Sequence, residues 1–468
     1  MSVSWALWQP PDPWVGVVLG APCALIAFLI GRSARREATV RGARLAGADA
    51  LRRVGWRLRA GAGDGLTLAG KPLTPLDETR HFKLIGTTGT GKSTAIRELL
   101  GAALRRGDRA VIADPDGSYG ARFFAPWRGD QLLNPFDSRS ARWEPLSELE
   151  EAADPEHLAS ALIATSADAT ASEWRGYARA FVAAVLDRCR LVRGCDTREL
   201  WRLIAVAGAQ ELRPLLAGTP AQPFLDAENA RMFGSLRSIA VSAMRALEYV
   251  QWQTGRPFSV RQWVRSGQGV LFLPYSARQI AALRTLIATW MGLAIFEALS
   301  QAEGRDQRLW LVVDELDALG QIDGLKDALA RLRKFGGRCV LGFQSLSQVE
   351  STYGSHDAQT MIENCGNTLI LRCSGSDHGG TSQYASRLIG EREVIRRQRS
   401  RGRDTPGLLF ATDPRRSVQV SEQRIVEPAV LAAQVEQLPD LCGYLKTASS
   451  PTWHPVRVSR FSGARRPV

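Results

Sequence analysis

The stretch HFKLIGTTGTGKSTAIRELL, residues 81–100, decides how this chain folds. A short apolar strand (Phe82, Leu84, Ile85) runs into a glycine-rich turn, then Gly91-Lys92-Ser93-Thr94, then an amphipathic run. Gly86-x-x-x-x-Gly91-Lys92-Ser93 fits the phosphate-loop pattern and stands in the strand, turn and helix context that the pattern demands. The glycines let backbone N–H groups curl around phosphate oxygens, Lys92 would reach the β- and γ-phosphates, and Ser93 would ligate magnesium. Gly86, Thr87, Thr88, Gly89, Thr90, Gly91, Lys92, Ser93 and Thr94 are therefore the candidate nucleotide-binding residues, with ATP and Mg2+ as the ligands.

A phosphate loop needs a carboxylate from another strand. Leu309-Trp310-Leu311-Val312-Val313 runs straight into Asp314-Glu315, which puts both acids at the carboxyl end of a buried strand, where open α/β sheets bind ligands. Asp314 joins Ser93 as a candidate magnesium residue, and Glu315 is the candidate general base or polariser of water. Gln344 ends the next strand, Cys339–Phe343. It is placed either to sense the γ-phosphate and position water or to bond backbone at the strand end. Arg333, within ALARLRKFGGR, is exposed by pattern and could reach a neighbouring subunit's nucleotide as an arginine finger; Arg331, Arg338 and Arg372 compete for that role.

With 468 residues, 45% hydrophobic and 23% charged, the chain has globular composition and can bury two domains or one domain with a large insertion. Its 60 Lys+Arg against 47 Asp+Glu give a net charge of +13, which suits an anionic partner such as nucleic acid or an anionic membrane face, although an Arg-rich coding bias accounts for it as well. The seven scattered cysteines form no CxxC pair, so reduced thiols are expected and no metal beyond nucleotide-bound magnesium is implied. WVGVVLGAPCALIAFLIG, residues 14–31, is an uncharged run within the ~17–25 residues that a transmembrane helix needs. Arg32, Arg35, Arg36, Arg41 and Arg44 follow it, so the positive-inside rule puts everything downstream in the cytoplasm. A secretory signal peptide is one alternative, against which the n-region lacks a positive charge, and a buried N-terminal helix is the other.

Beyond the loop, strands at 110–113, 269–275, 308–316, 338–345 and 367–373 alternate with helical stretches such as Arg278–Leu299 and Gly324–Phe335. That alternation predicts an α/β domain, a parallel sheet flanked by helices. Between 146 and 265 the pattern is helical: Trp174, Tyr177, Ala178, Phe181 and Val185 form one apolar stripe, and Leu236, Ile239, Ala240, Ala243, Leu247 and Val250 another. Thr197 is the expected cap of a helix between them. The predicted organisation is a membrane anchor at 1–36, the first part of a nucleotide-binding domain at 37–145, an inserted all-α domain at 146–265, and the second part with the C-terminal segment at 266–468. EREVIRRQRSRGRD, 391–404, reads as an irregular basic segment, either a solvated loop or a phosphate contact if it lines a channel.

The order of these motifs resembles the type IV coupling proteins of conjugation and type IV secretion, the TraD/TrwB group of the FtsK–HerA-like motor ATPases. RGARLAGADALRR, GTTGTGKST, LLNPFDSRSARWEP (132–145), DELDALGQIDGLKDALARLRKFGGRCVLGFQSLSQ (314–348), RLIGEREV (387–394) and VEPAVLAAQVEQLPDLCGYL (426–445) carry the resemblance, which covers almost everything downstream of residue 35. It implies a RecA-like P-loop NTPase domain with an inserted all-α domain and an N-terminal transmembrane helix. It further implies a homo-hexameric ATPase at the inner-membrane base of a secretion channel, which receives a relaxase–DNA complex and helps drive the strand out. Lys92 and Ser93 fall in the family's phosphate loop, Asp314 and Glu315 in its second motif, Gln344 in its third, and Arg333 at its proposed trans-acting arginine. The implied partners are DNA, single-stranded and bound without sequence preference, the relaxosome, channel proteins and the inner membrane. Family members commonly have two transmembrane helices where one run is found here, and the chain ends in RFSGARRPV rather than an acidic tail, so docking through such a tail is not expected. Rival readings are a receptor exporting protein effectors, a duplex-DNA segregation or packaging motor, and a scaffold whose nucleotide only orders a ring.

Overall fold

A computed structural model describes residues 38–47, 65–164, 168–303, 308–376, 380–403 and 416–459. The predicted membrane run at 14–31 lies outside these residues. The described residues form two compact units, one from those up to 43 with those between 389 and 429, the other from those between 44 and 388 with those from 430 on.

The larger unit is organised by ten strands: β1 (Arg44–Leu45), β2 (Phe82–Ile85), β3 (Arg109–Pro115), β4 (Gln131–Leu132), β5 (Val270–Tyr275), β6 (Leu309–Val313), β7 (Gly337–Phe343), β8 (Asn367–Ile370), β9 (Cys442–Lys446) and β10 (Thr452–Arg457). They lie in the order β1-β10-β9-β8-β2-β7-β6-β3-β5-β4. From β8 to β4 neighbours run parallel, with Val312 aligned to Ile112 on one side and Val340 on the other. β2, β6 and β7 are buried along their whole length, as strands covered on both faces must be. β9 and β10 add antiparallel pairs to the predicted parallel sheet: β9 is antiparallel to β8, and β10 to β9. Residues 447–451 between them are too few for the crossover that a parallel pair needs, so the two strands fold as a hairpin.

Helix α1 (Lys92–Arg105) follows β2 and lays Ile96, Leu99, Leu100 and Ala103 on a core cluster that includes Phe82, Ile112 and Trp310. The Phe82 and Trp310 rings meet at 5.9 Å. Lys83 is tolerated within buried β2 because its ammonium donates to the carbonyls of Ile362 (2.7 Å) and Cys365 (3.2 Å). These lie at the C-terminal end of the helix Ser355–Glu363, where the backbone dipole favours a cation.

Between β4 and β5 come α2 (Asp154–Leu162), α3 (Ala169–Leu191), α4 (Thr197–Ala205) and α5 (Ala230–Met244). Ala178, Phe181 and Val185 of the predicted stripe are fully buried, and Phe181 meets Phe233 edge to face at 5.4 Å. The second stripe is broken: α5 stops at Met244, and Leu247 and Val250 sit on a separate turn, Leu247–Val250. The cap of α4 is Asp196 rather than Thr197. The Asp196 carboxylate accepts from the backbone N–H groups of Arg198 and Glu199, while the Thr197 hydroxyl donates to Glu144 at 2.9 Å. Helix α6 (Ile280–Leu299), mean hydropathy 1.4, is long and apolar enough to cross a membrane, but 67% of its apolar window is buried inside the fold, as a core helix is.

The smaller unit is a three-stranded antiparallel sheet in which Glu391–Arg403 lies between Ala38–Gly42 and Arg416–Pro428. The segment predicted to be irregular is therefore a strand, paired residue by residue from Glu391↔Pro428 to Arg403↔Arg416. Charge pairing replaces the apolar alternation that marks most strands: Arg41 meets Glu393 at 2.5 Å, and Glu427 takes Arg392 at 2.9 Å and Arg396 at 2.8 Å.

His81, just ahead of β2, adopts a positive φ of 51° and is buried. Its Nδ1 accepts the backbone N–H of Cys339 at the start of β7 (3.0 Å), and its buried Nε2 has no hydrogen-bond partner. Burial, with the nearby charges of Arg333 and Arg338, pulls its pKa down to about 4. The unfolded value lies higher, near 6.5, so the neutral ring's contribution is complete above about pH 6.5 and drains away as pH falls toward 4, up to ~3 kcal/mol. Chemical unfolding at pH 4.5 and 7.5 should show that loss in the native sequence. His81→Asn, whose amide oxygen accepts the same N–H and whose backbone tolerates positive φ, should flatten it.

Candidate nucleotide site

The turn after β2 is shaped by close approach. A Cβ on Gly86 would stand 2.9 Å from both the Leu371 Cβ and the Thr90 Oγ, and Gly91, which caps α1, has a φ of 116°. Within the loop the Thr90 hydroxyl donates to the carbonyl of Thr87 (2.7 Å), and the Thr87 N–H donates to the carbonyl of Arg372 beyond β8 (2.9 Å). Lys92 Nζ donates to the carbonyls of Gly86 (2.5 Å) and Thr87 (3.2 Å), which folds its ammonium over the loop. Burial lowers its pKa, opposed by the negative charges of Asp314 and Glu315.

Strands β2, β7 and β6 are adjacent and parallel, so their carboxyl ends bring the three motifs to one edge. The Ser93 hydroxyl, in the first turn of α1, donates to Asp314 Oδ2 at 2.5 Å. Asp314 Oδ1 is buried without a hydrogen-bond partner. An unpartnered carboxylate oxygen beside a serine hydroxyl is the donor set of a magnesium–nucleotide site, so the residues fit that ion. Gly342 on β7 keeps this space open: a Cβ there would lie 2.3 Å from the Asp314 carbonyl and 3.1 Å from Oδ1. Glu315 is partly buried, and burial together with the negative charges of Asp314 and Asp317 raises its pKa. Gln344 Oε1 accepts the Thr88 hydroxyl at 2.9 Å, so this side chain is tied to the phosphate loop.

Arg333 is not brought to this edge. It lies exposed on the short turn Leu332–Phe335 before β7, at the end of the strand opposite Gln344 and on the order of 20 Å away. Arg331 is exposed beside it. Arg338 is buried, 3.4 Å from Glu78 and over the Trp310 ring at 5.6 Å, and Arg372 pairs with Asp440 at 2.7 Å.

Three site residues escaped the sequence reading. Tyr119, fully buried, donates its hydroxyl to Asp314 Oδ2 at 2.8 Å. Asp114, near the end of β3, accepts the N–H groups of Tyr119 (2.8 Å) and Gly120 (2.7 Å), and burial raises its pKa to about 6. Leu441 closes the loop from the far end of the chain: its N–H donates to the Thr90 carbonyl (2.9 Å), and a Cβ on Gly91 would meet its side chain at 2.8 Å. For Asp114 and Tyr119 a signal existed in the DPDGSYG turn, which ends a strand next to β6.

Residues 65–459 match the family described as type IV secretion-system coupling protein DNA-binding domain. The chain is 28% identical over 464 residues to coupling protein TraD of Escherichia coli (strain K12), covering 94% of this chain and 62% of TraD. Thus it spans less than two thirds of that relative. It is similar to the solved structure of the bacterial conjugative coupling protein TrwBΔN70, unbound, at 30% identity and a TM-score of 0.80, covering 92% of this chain and 95% of that one. It is also similar to TrwB in complex with ADP and Mg2+, at 30% identity and a TM-score of 0.78, with 92% and 95% covered. The shared fold is a RecA-like P-loop NTPase with a mixed sheet and a helical domain. With a family match over most of its length and a site of phosphate loop, serine and paired acids to go with it, the chain belongs to the type IV secretion-system coupling proteins.

Proposed function

We propose that this protein is an ATP hydrolase that couples a relaxase-bound DNA substrate to a type IV secretion channel and moves the DNA during conjugative transfer. The observation that carries the reading is the 2.5 Å hydrogen bond from Ser93 to Asp314, which locks the phosphate loop to the second acidic motif with Glu315 next in sequence. In support, the similar protein TrwB has been solved with ADP and Mg2+ and with the non-hydrolysable ATP analogue ADPNP.

The loop N–H groups from Gly86 to Thr94 hold the phosphates, and Lys92 brings its charge to the β- and γ-oxygens. Ser93 and Asp314 would hold Mg2+, which when bound neutralises charge on the β- and γ-phosphates. Glu315 takes the proton of the attacking water; its partly buried position and flanking acids make it a stronger base than an ordinary glutamate. Gln344, tied to Thr88, reports the γ-phosphate state to β7. Arg333 stands too far from its own chain's site and serves the nucleotide of the next subunit in a homo-hexamer. Single-stranded DNA is gripped through its phosphates, which suits a chain of net charge +13, and the helical domain at 146–265 engages it. The run at 14–31 anchors the ring in the inner membrane, with the ATPase in the cytoplasm.

ATP turnover by the full chain in detergent, with and without single- or double-stranded DNA, tests this directly. Turnover should rise with single-stranded DNA and vanish in Lys92→Ala, which should also abolish transfer to recipient cells; turnover indifferent to DNA would favour a protein-effector receptor. Glu315→Gln should cut kcat by about 10²-fold or more with ATP binding intact. Arg333→Ala should be inactive alone and recover part of its turnover when mixed with Lys92→Ala, because mixed rings then contain complete sites; no recovery would remove Arg333 from the trans role.

A further inference from the structure

The buried hydroxyl of Tyr119 stands at the nucleotide edge without a role in the steps above. Tyr119 has no exposed surface, and its oxygen is committed to Asp314 Oδ2, the same atom that accepts Ser93. Two donors on one oxygen fix the plane of the carboxylate and leave the other oxygen, Oδ1, buried and unpartnered. Tyr119 is itself held from behind. Asp114 grips its backbone N–H at 2.8 Å and that of Gly120 at 2.7 Å, and a Cβ on Gly120 would come within 3.2 Å of the same carboxylate. On the surface side the Arg97 guanidinium lies over the ring at 5.3 Å and donates to Ser118 at 3.0 Å, which holds the turn from its other flank. An Asp at the end of β3 thus acts through a tyrosine on an Asp at the end of the adjacent β6.

We infer that Tyr119, anchored by Asp114, is a positioning residue for divalent-cation binding: it orients Asp314 so that Oδ1 faces the magnesium shell of the bound nucleotide. The inference rests on the nucleotide-hydrolase reading. A tyrosine chosen only to fill space would not need its hydroxyl. Here that hydroxyl is buried, and its partner is a carboxylate at the nucleotide edge whose other oxygen is buried without a hydrogen bond. Outer-shell hydrogen bonds of this kind set ligand orientation, and losing one weakens metal affinity about ten-fold or more.

The test is Tyr119→Phe, which keeps the ring and removes the oxygen, in the full chain. Binding of a fluorescent ADP is titrated with MgCl2 and compared with binding in EDTA. ADP affinity in EDTA should match the unsubstituted protein, while the Mg2+ concentration giving half of the metal-dependent gain in affinity should rise about ten-fold. At limiting Mg2+ the ATP turnover should fall, and saturating Mg2+ should restore most of it. Asp114→Asn, which keeps one acceptor for the turn, should shift the Mg2+ midpoint in the same direction by less, and it stands in if Tyr119→Phe fails to fold. An unchanged midpoint in the folded Tyr119→Phe protein, or an equal loss of ADP affinity in EDTA and in Mg2+, overturns the assignment. Because the ADP titration needs no hydrolysis, an inactive native protein would refute the hydrolase reading while this result stood.

Discussion

The hydrogen bond between Ser93 and Asp314 spans two strand spacings, because β7 lies between β2, which leads into the loop before Ser93, and β6, which leads into Asp314. Adjacent strands stand about 4.8 Å apart, so the two motifs begin ~10 Å from each other and α1 must start directly over β7 to close the gap. Gly342 of β7 makes room for the acidic end of that bond, since a Cβ there would lie 2.3 Å from the Asp314 carbonyl oxygen and 3.1 Å from its Oδ1. The strand order, the left-handed turn at Gly91 and the small residue in a fully buried strand are three conditions of one bond. The apolar face of α1 then holds the geometry from above, since Ile96, Leu99 and Leu100 share a cluster with Phe82 and Trp310 from the outer two of those three strands.

Much of this edge was legible in the sequence. GTTGTGKS identifies itself because few backbone conformations bring so many N–H groups to one point. LWLVVDE is equally plain, because an uninterrupted apolar run marks a strand buried on both faces and two acids directly after it stand at its carboxyl end. Gln344 followed from counting one helix and one strand onward. What could not be read was anything that depends on a partner distant in sequence. Whether Gln344 bonds backbone or loop is decided by Thr88; whether Asp114 or Tyr119 matters is decided by β3 lying next to β6.

The misreadings have physical causes too. Residues 391–403 lack apolar alternation, yet pair along their length because ladder hydrogen bonds and crossed Arg–Glu pairs suffice. Thr197 and Asp196 are both good caps, and the carboxylate takes the position because Glu144 engages the threonine hydroxyl. The apolar stripe through Val250 continues in composition beyond the point where α5 ends, since burial is satisfied by a turn as well as by a helix. Helix α6 shows the opposite limit: by composition it could sit in lipid, and topology places it in the core.

Leu441 reaches back across nearly the whole sequence to close the phosphate loop. During synthesis the β2 strand and its loop emerge well before Leu441 and the hairpin of β9 and β10. Until then Thr90 has no backbone partner from that side and Gly91 no neighbour to pack on. The loop's final shape therefore depends on a segment far downstream, and a copy cut short before Leu441 would carry the complete motif without the complete cradle.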